Sequence, residues 1–93
     1  NYDLLFKVTG DVNPETGFVM DLKELSDLLN KEISDRFDHR NLNLDVAEFK
    51  NLNPTAENIA KVVFDIMRPK IDARFTIQVT LYETPRNFVV YPD

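Results

Sequence analysis

The pair of residues best suited to moving protons in this sequence is Asp38-His39, where the single histidine of the chain directly follows a carboxylate. An imidazole titrates near neutral pH, and a neighbouring carboxylate can orient it and stabilise its cation. The pair is therefore a candidate catalytic acid–base site. Adjacent Asp and His residues are also common in solvated loops, and adjacency does not establish contact, so the sequence leaves both interpretations open.

A second candidate is Glu83, which ends a segment of strongly alternating apolar and polar residues. A carboxylate in that position could accept two parallel N–H hydrogen bonds from the planar, guanidine-like edge of a ligand. The alternative is an ordinary polar residue at a strand end, because carboxylates are mostly exposed.

A third group of candidates, Thr55, Glu57 and Asn58, stands at the start of a predicted helix. A helix N-terminus offers free N–H groups and favours anions. Helix capping by Asn53 or Thr55 explains the same residues without any ligand. Four basic residues could contact a phosphate group, and their spacing does not choose among them: Lys7, Arg36, Arg40 and Arg86.

Three segments with a period of two predict the strands that would position these residues. Residues 2–9 and 74–82 alternate between apolar and polar side chains, which is typical of strands, and residues 88–91 predict a short last strand. Residues 10–17 contain both glycines and an Asn-Pro pair, which predict a turn. Residues 83–87 would connect the last two strands.

Two helices are predicted between the first and second strands. Asp21 and Glu24 have the spacing of a capping box, and leucines with helical spacing follow, which predicts a helix over about residues 22–35. Residues 36–53 contain four Asn after Phe37 and are predicted to be irregular. Pro54 fits the first turn of a second helix that stops near Pro69. The order β-α-α-β-β indicates an α+β fold, with the helices on one face of an antiparallel sheet.

Composition narrows the function classes. The 93 residues indicate one small domain, 1–93, and a net charge of −5 argues against a general nucleic-acid binder. No apolar run approaches the length of about 20 residues that spans a bilayer. One His and no Cys cannot build a zinc site within this chain.

Five segments in order resemble the 6-pyruvoyl-tetrahydropterin synthase family, which includes the bacterial 6-carboxytetrahydropterin synthases of queuosine biosynthesis. They cover nearly the whole chain: NYDLLFKVTG at 1–10, GFVMDL at 17–22, FDHRNLN at 37–43, PTAEN at 54–58 and YETPRN at 82–87. Each motif is weak by itself, but five in order with plausible spacing are specific.

The resemblance implies a T-fold and a cytoplasmic, zinc-dependent lyase of tetrahydrobiopterin or queuosine biosynthesis. Its subunits would join their sheets into a barrel, commonly a homohexamer, with substrate sites between subunits. Asp38 and His39 match the family's acid–base pair, and Glu83 matches the carboxylate that anchors the pterin ring. Thr55 and Glu57 match a segment near the pterin pocket. The implied substrate is 7,8-dihydroneopterin triphosphate, which loses triphosphate to give a pyruvoyl or a carboxy product.

This sequence departs from the family at its start. In the family, a His-any-His zinc pair directly precedes the Asn-Tyr that stands here as Asn1-Tyr2, and a third zinc His, the catalytic Cys and the first strand lie further upstream. We expect that the sequence lacks this N-terminal segment, because three strands would leave an open apolar edge.

The alternative is a non-catalytic T-fold subunit that binds a pterin or serves a structural role without zinc. Another T-fold enzyme, such as a dihydroneopterin aldolase or a GTP cyclohydrolase relative, is a third hypothesis. The combination of Asp38-His39 with Glu83-Thr84 favours the synthase family over these enzymes.

Overall fold

The three strands form a single antiparallel sheet, in which they lie side by side in chain order. The structure is a computed structural model that describes residues 2–38 and 42–93. The strands are β1 (Asp3–Thr9), β2 (Thr76–Thr84) and β3 (Asn87–Tyr91). All three predicted strands are confirmed. β2 begins and ends two residues later than predicted, because its pairing with β1 starts at Thr76 and its hairpin with β3 runs to Thr84.

The hairpin between β2 and β3 contains a bulge at Glu83. Tyr82 pairs with Phe88 and Thr84 pairs with Asn87, so Glu83 is the extra residue on its strand. The hydroxyl of Thr84 accepts the backbone N–H groups of Arg86 and Asn87 and closes the turn. Glu83 is therefore part of the strand, whereas the sequence predicted a connection at this position.

The first predicted helix begins where the capping pattern indicated, but it changes type along its length. α1 (Leu22–Leu29) is capped by Asp21, whose carboxylate accepts the N–H groups of Lys23 and Glu24. A π-helical turn follows over Asn30–Ser34, and α2 (Asp35–Phe37) resumes α-helical geometry. The helical run therefore extends two residues beyond the predicted end.

The segment after this helix is less irregular than predicted. It contains α3 (Leu42–Asp45) and a 3-10 turn over Ala47–Phe49. Val46 is buried, and Phe49 is fully buried. A short helical turn supplies backbone hydrogen bonds where the chain leaves solvent, as in the N–H of Phe49 donating to the carbonyl of Val46. Burial therefore outweighs the poor helix propensity of the asparagines.

The second long helix is α4 (Ala56–Met67), and Thr55 is its N-cap. Thr55 is extended, and its hydroxyl accepts the N–H of Asn58 at 3.2 Å. The placement of Pro54 in the first helical turn is wrong, because Pro54 precedes the cap. A 3-10 turn over Arg68–Lys70 then leads into β2.

The core lies between α4 and one face of the sheet. Ile77, Val79 and Leu81 of β2 are buried on this face, and Phe64 of α4 meets Tyr91 of β3 edge to face at 5.3 Å. The opposite face carries more exposed apolar residues, including Leu5 and Phe88, which are 55% and 53% exposed. The α+β prediction is confirmed. Within the described ranges, no helix has the length and apolar character needed to cross a membrane.

Candidate functional site

A groove of about 920 Å³ runs between the first long helix and the ends of β1 and β2. Its apolar floor includes Leu25, Ile33, Ile59, Val63 and Leu81, which come from the helices and from β2. Its polar lining is Asp3, Ser26, Asn30, Ser34 and Asp38. An apolar floor with a few convergent polar groups is the usual lining of a small-molecule site.

Asp38 is the predicted catalytic residue that the structure places in this groove. It directly follows α2 and takes up an extended conformation, and its backbone N–H donates to the carbonyl of Ser34 at 3.0 Å. This backbone hydrogen bond anchors Asp38 to the end of the helix, where it lines the groove. His39, its predicted partner, lies outside the described residues.

Glu83 stands two residues beyond Leu81, which lines the groove, along the same strand. It does not itself line the groove, and it is exposed at the bulge. Bulges often change the direction in which a side chain points and are frequent beside active sites. The structure therefore places Glu83 next to the groove rather than inside it.

Thr55 and Glu57 are not part of the groove lining. The hydroxyl of Thr55 caps α4, and Glu57 is exposed in the first turn of that helix. The nearest residue of α4 that lines the groove is Ile59, four residues after Thr55. The observed geometry assigns Thr55 a capping role, and the predicted contact with a ligand stays a prediction.

Asp3 and Asp38 are the charged residues among the described lining of the groove, and none of the described Lys or Arg residues lines it. Arg36 lies on another side of its helix, where it pairs with Glu48. Lys7 is opposite Gln78 in the sheet, and Arg86 lies in the β-hairpin turn. Of the four candidates for phosphate contact, Arg40 lies outside the described residues.

The described residues do not fit a catalytic metal. Across residues 2–38 and 42–93, no three His, Cys, Asp or Glu residues come together as a possible metal site. The zinc implied by the resemblance has no ligand set in this part of the molecule.

Sequence reasoning missed Asp3, Ser26, Asn30 and Ser34 as lining residues. The signal was present for three of them, because Ser26, Asn30, Ser34 and Asp38 follow one another at intervals of four residues. Asp3 has no such signal, since its place in the groove depends on where β1 lies against the helix.

Taken together, the antiparallel sheet, the helices on one face and the groove at the strand ends define a T-fold domain. The sequence matches the model of the 6-pyruvoyl tetrahydropterin synthase family over residues 1–93. The chain belongs to this family.

Individual relatives agree with this result. The chain is 35% identical over 91 residues to the human 6-pyruvoyl tetrahydrobiopterin synthase and 36% identical to the one from Pongo abelii. Each match covers 98% of this chain and 63% of the relative. The solved structure of Caenorhabditis elegans 6-pyruvoyl tetrahydropterin synthase superposes with a TM-score of 0.88 at 35% identity, covering 98% of this chain and 65% of that one. The chain spans less than two thirds of the length of these relatives.

Proposed function

We propose that the natural protein is an enzyme of the 6-pyruvoyl-tetrahydropterin synthase type, which acts on 7,8-dihydroneopterin triphosphate with loss of triphosphate. The observation that carries this proposal is the match to synthases over nearly the whole chain, combined with the position of Asp38 in the groove. The side-chain product is a pyruvoyl or a carboxy group.

The chemistry requires protons to move on the substrate side chain as triphosphate leaves. In this proposal His39 relays protons, and Asp38 orients its imidazole and stabilises the cation. Glu83 accepts the 2-amino and ring N–H groups of the pterin as two parallel hydrogen bonds. Its place beside the groove is compatible with a pterin ring at the groove mouth and the side chain directed toward Asp38.

Zinc and subunit assembly are further parts of the proposal, and they rest on the family resemblance. Zinc would act as a Lewis acid toward the side-chain oxygens, held by residues outside the described ranges. A homohexamer would place each site between subunits, in a cytoplasmic protein without a membrane or nucleic-acid partner. Basic residues from a neighbouring subunit would then supply positive charge for the triphosphate, since none of the described Lys or Arg residues lines the groove.

The test uses the natural full-length protein, with its bound metal quantified on the same sample. Incubation with 7,8-dihydroneopterin triphosphate should release triphosphate and give a product whose mass distinguishes the pyruvoyl from the carboxy compound. Pterin fluorescence would report binding independently of turnover. A folded, zinc-loaded protein that neither binds nor converts the compound would refute the proposal.

A non-catalytic, pterin-binding or structural T-fold subunit is the second candidate. It needs no metal, and residues 2–38 and 42–93 contain no cluster of three His, Cys, Asp or Glu residues that could hold one. It predicts at most pterin binding, with no stoichiometric zinc and no release of triphosphate.

A further inference from the structure

The helix that carries Asp38 has two rows of side chains at strict intervals of four residues. The apolar row is Leu25, Leu29, Ile33 and Phe37, and the polar row is Ser26, Asn30, Ser34 and Asp38. Both rows face the same groove from end to end, since all eight residues line it.

A regular α-helix cannot keep such rows in line. With about 3.6 residues per turn, a step of four residues rotates the side chain by about 40° beyond a full turn. Three steps would therefore carry Phe37 and Asp38 about 120° away from Leu25 and Ser26. Asp38 would then leave the groove.

The π-helical turn over Asn30–Ser34 removes most of this rotation. Its hydrogen bond runs from the N–H of Asp35 to the carbonyl of Asn30, five residues apart instead of four. One extra residue in the turn reduces the rotation of the following side chains about the helix axis by about 100°. Over three steps of four residues, only about 20° of rotation then remains.

The apolar row supplies the reason for the turn. Leu25 and Ile33 are 8% and 5% exposed, and Phe37 meets the buried Phe49 edge to face at 5.7 Å. On another side of the helix, Arg36 pairs with Glu48. These contacts fix the orientation about the helix axis of the residues after the turn. Asp38 directly follows Phe37, so its position is fixed with them.

We propose that the π-helical turn is a positioning element: it absorbs one extra residue so that Asp38 enters the groove while Ile33 and Phe37 stay in the core. The inference rests on the proposed function in assigning Asp38 a catalytic role. The rotational part depends on helix geometry alone.

Deleting Lys31 tests the rotation. Lys31 is an exposed residue within the turn and does not line the groove. The shortened helix should become α-helical throughout, with backbone bonds four residues apart, while Asp38 keeps its place. In the natural full-length protein we expect kcat within about 3-fold of the wild-type value and an unchanged or higher Tm. A crystal structure of the variant that retains the bond between residues five apart, or a folded variant without activity, would overturn the proposal.

Inserting one alanine between Lys31 and Glu32 should have the opposite effect. It rotates Asp38 by about 100°, and we expect kcat to fall by about 100-fold, as for Asp38→Asn, with a smaller change in KM. An alanine inserted between Glu15 and Thr16, in the exposed turn before the helix, is the matched control and should leave kcat unchanged. A folded Lys31–Glu32 insertion variant with wild-type kcat would contradict the positioning role.

Combining the insertion with Asp38→Asn shows whether the turn acts through Asp38. The insertion should cost no further activity in the Asp38→Asn protein, because the group that it misplaces has already lost its function. An additional loss of similar size would overturn the proposal. If the insertion variant does not fold, the Lys31 deletion decides alone. If Asp38→Asn leaves kcat unchanged, the assigned role of Asp38 fails, and the structure of the deletion variant still tests the rotation.

Discussion

Gly10 lies against the ring of Phe75. A Cβ built on Gly10 would stand 2.4 Å from Cδ1 of Phe75 and 2.8 Å from Cε1, closer than atoms that are not bonded can approach. Phe75 is buried, and the guanidinium of Arg74 stands over its ring at 4.7 Å from the centroid. The ring therefore has little room to move away, and the residue that directly follows β1 must be a glycine for β2 to begin where it does.

Gly10→Ala should destabilise the protein by about 1–3 kcal/mol, because the ring or the backbone must shift to admit the methyl group. Chemical denaturation measures this free energy of unfolding. Gly17→Ala is the comparison, since nothing lies within 4 Å of the added Cβ and only its positive φ of 80° is strained. The double variant Gly10→Ala, Phe75→Leu should lose less than the sum of the single losses. Simple additivity would mean that the two residues do not clash.

Arg68 holds the connection between α4 and β2. Its guanidinium donates to the carbonyls of Ile71, Asp72 and Phe75 at 2.8 to 3.0 Å. Arg68→Met should lower the free energy of unfolding by about 2 kcal/mol, because a partly buried set of charge-assisted hydrogen bonds is lost. Lys61→Met is the control: Lys61 makes an exposed ion pair with Asp65, and we expect a much smaller loss because water screens the pair. Equal losses would show that the carbonyl contacts of Arg68 add nothing.

The pair formed by Arg36 and Glu48 should make stability depend on pH in the acid range. Partial burial by itself raises the pKa of Glu48, but the hydrogen bond from Arg36, a backbone hydrogen bond and the charge of Arg36 together hold the pKa below its ordinary value. A carboxyl group with a lowered pKa stabilises the folded state above its unfolded pKa. That contribution is lost as the pH falls through the folded-state pKa.

Replacing Glu48 by Gln should therefore flatten the decline in Tm below about pH 5 relative to the wild-type protein. Glu24→Gln, in the first turn of α1, is a matched change at an exposed position. Parallel Tm curves for the wild-type and Glu48→Gln proteins would contradict a stabilising role of the pair.

Thr55 can be a helix cap, a ligand contact, or both, and two substitutions separate these roles. Thr55→Ala should cost about 1 kcal/mol of stability through loss of the cap, and Thr55→Ser should retain most of it. If the residue acts only as a cap, the Kd for a pterin will be the same in both variants at a temperature where both are folded. A Kd that rises for Thr55→Ala alone would support the predicted substrate contact.

Glu83→Gln should weaken pterin binding, because an amide replaces one of the two acceptor oxygens with a donor. The exposed position of Glu83 in the bulge predicts little change in Tm or in subunit assembly. Fluorescence titration with a pterin, together with sizing by light scattering, measures the two properties separately. Unchanged affinity would remove Glu83 from the binding site.

Local sequence patterns predicted the strands and helices that are determined by residues close together in the chain. The alternation over residues 74–82 predicted β2 because side chains of a strand alternate between its faces, and Asp21 caps α1 as its spacing indicated. Residues 36–53 were misjudged because the burial of Phe49, which depends on contacts with distant segments, outweighs the local propensity of four asparagines. Pro54 was misplaced because either Asn53 or Thr55 could have capped α4: a cap at Asn53 would make Pro54 the first helical residue, but the observed cap, Thr55, follows it.

The candidate site, too, was predicted in part from the sequence and determined in part only by the tertiary structure. The sequence alone identified Asp38 and Glu83 as the carboxylates to examine, because their residue types and family motifs lie within short segments. Only the tertiary structure decided that Asp38 lines a groove and that Glu83 stands in a bulge beside it. It also showed that a π-helical turn keeps Asp38 on the same side of the helix as Leu25. Strand pairing and core packing join residues that are far apart in the chain, and a short sequence pattern carries no information about which distant surface it will meet.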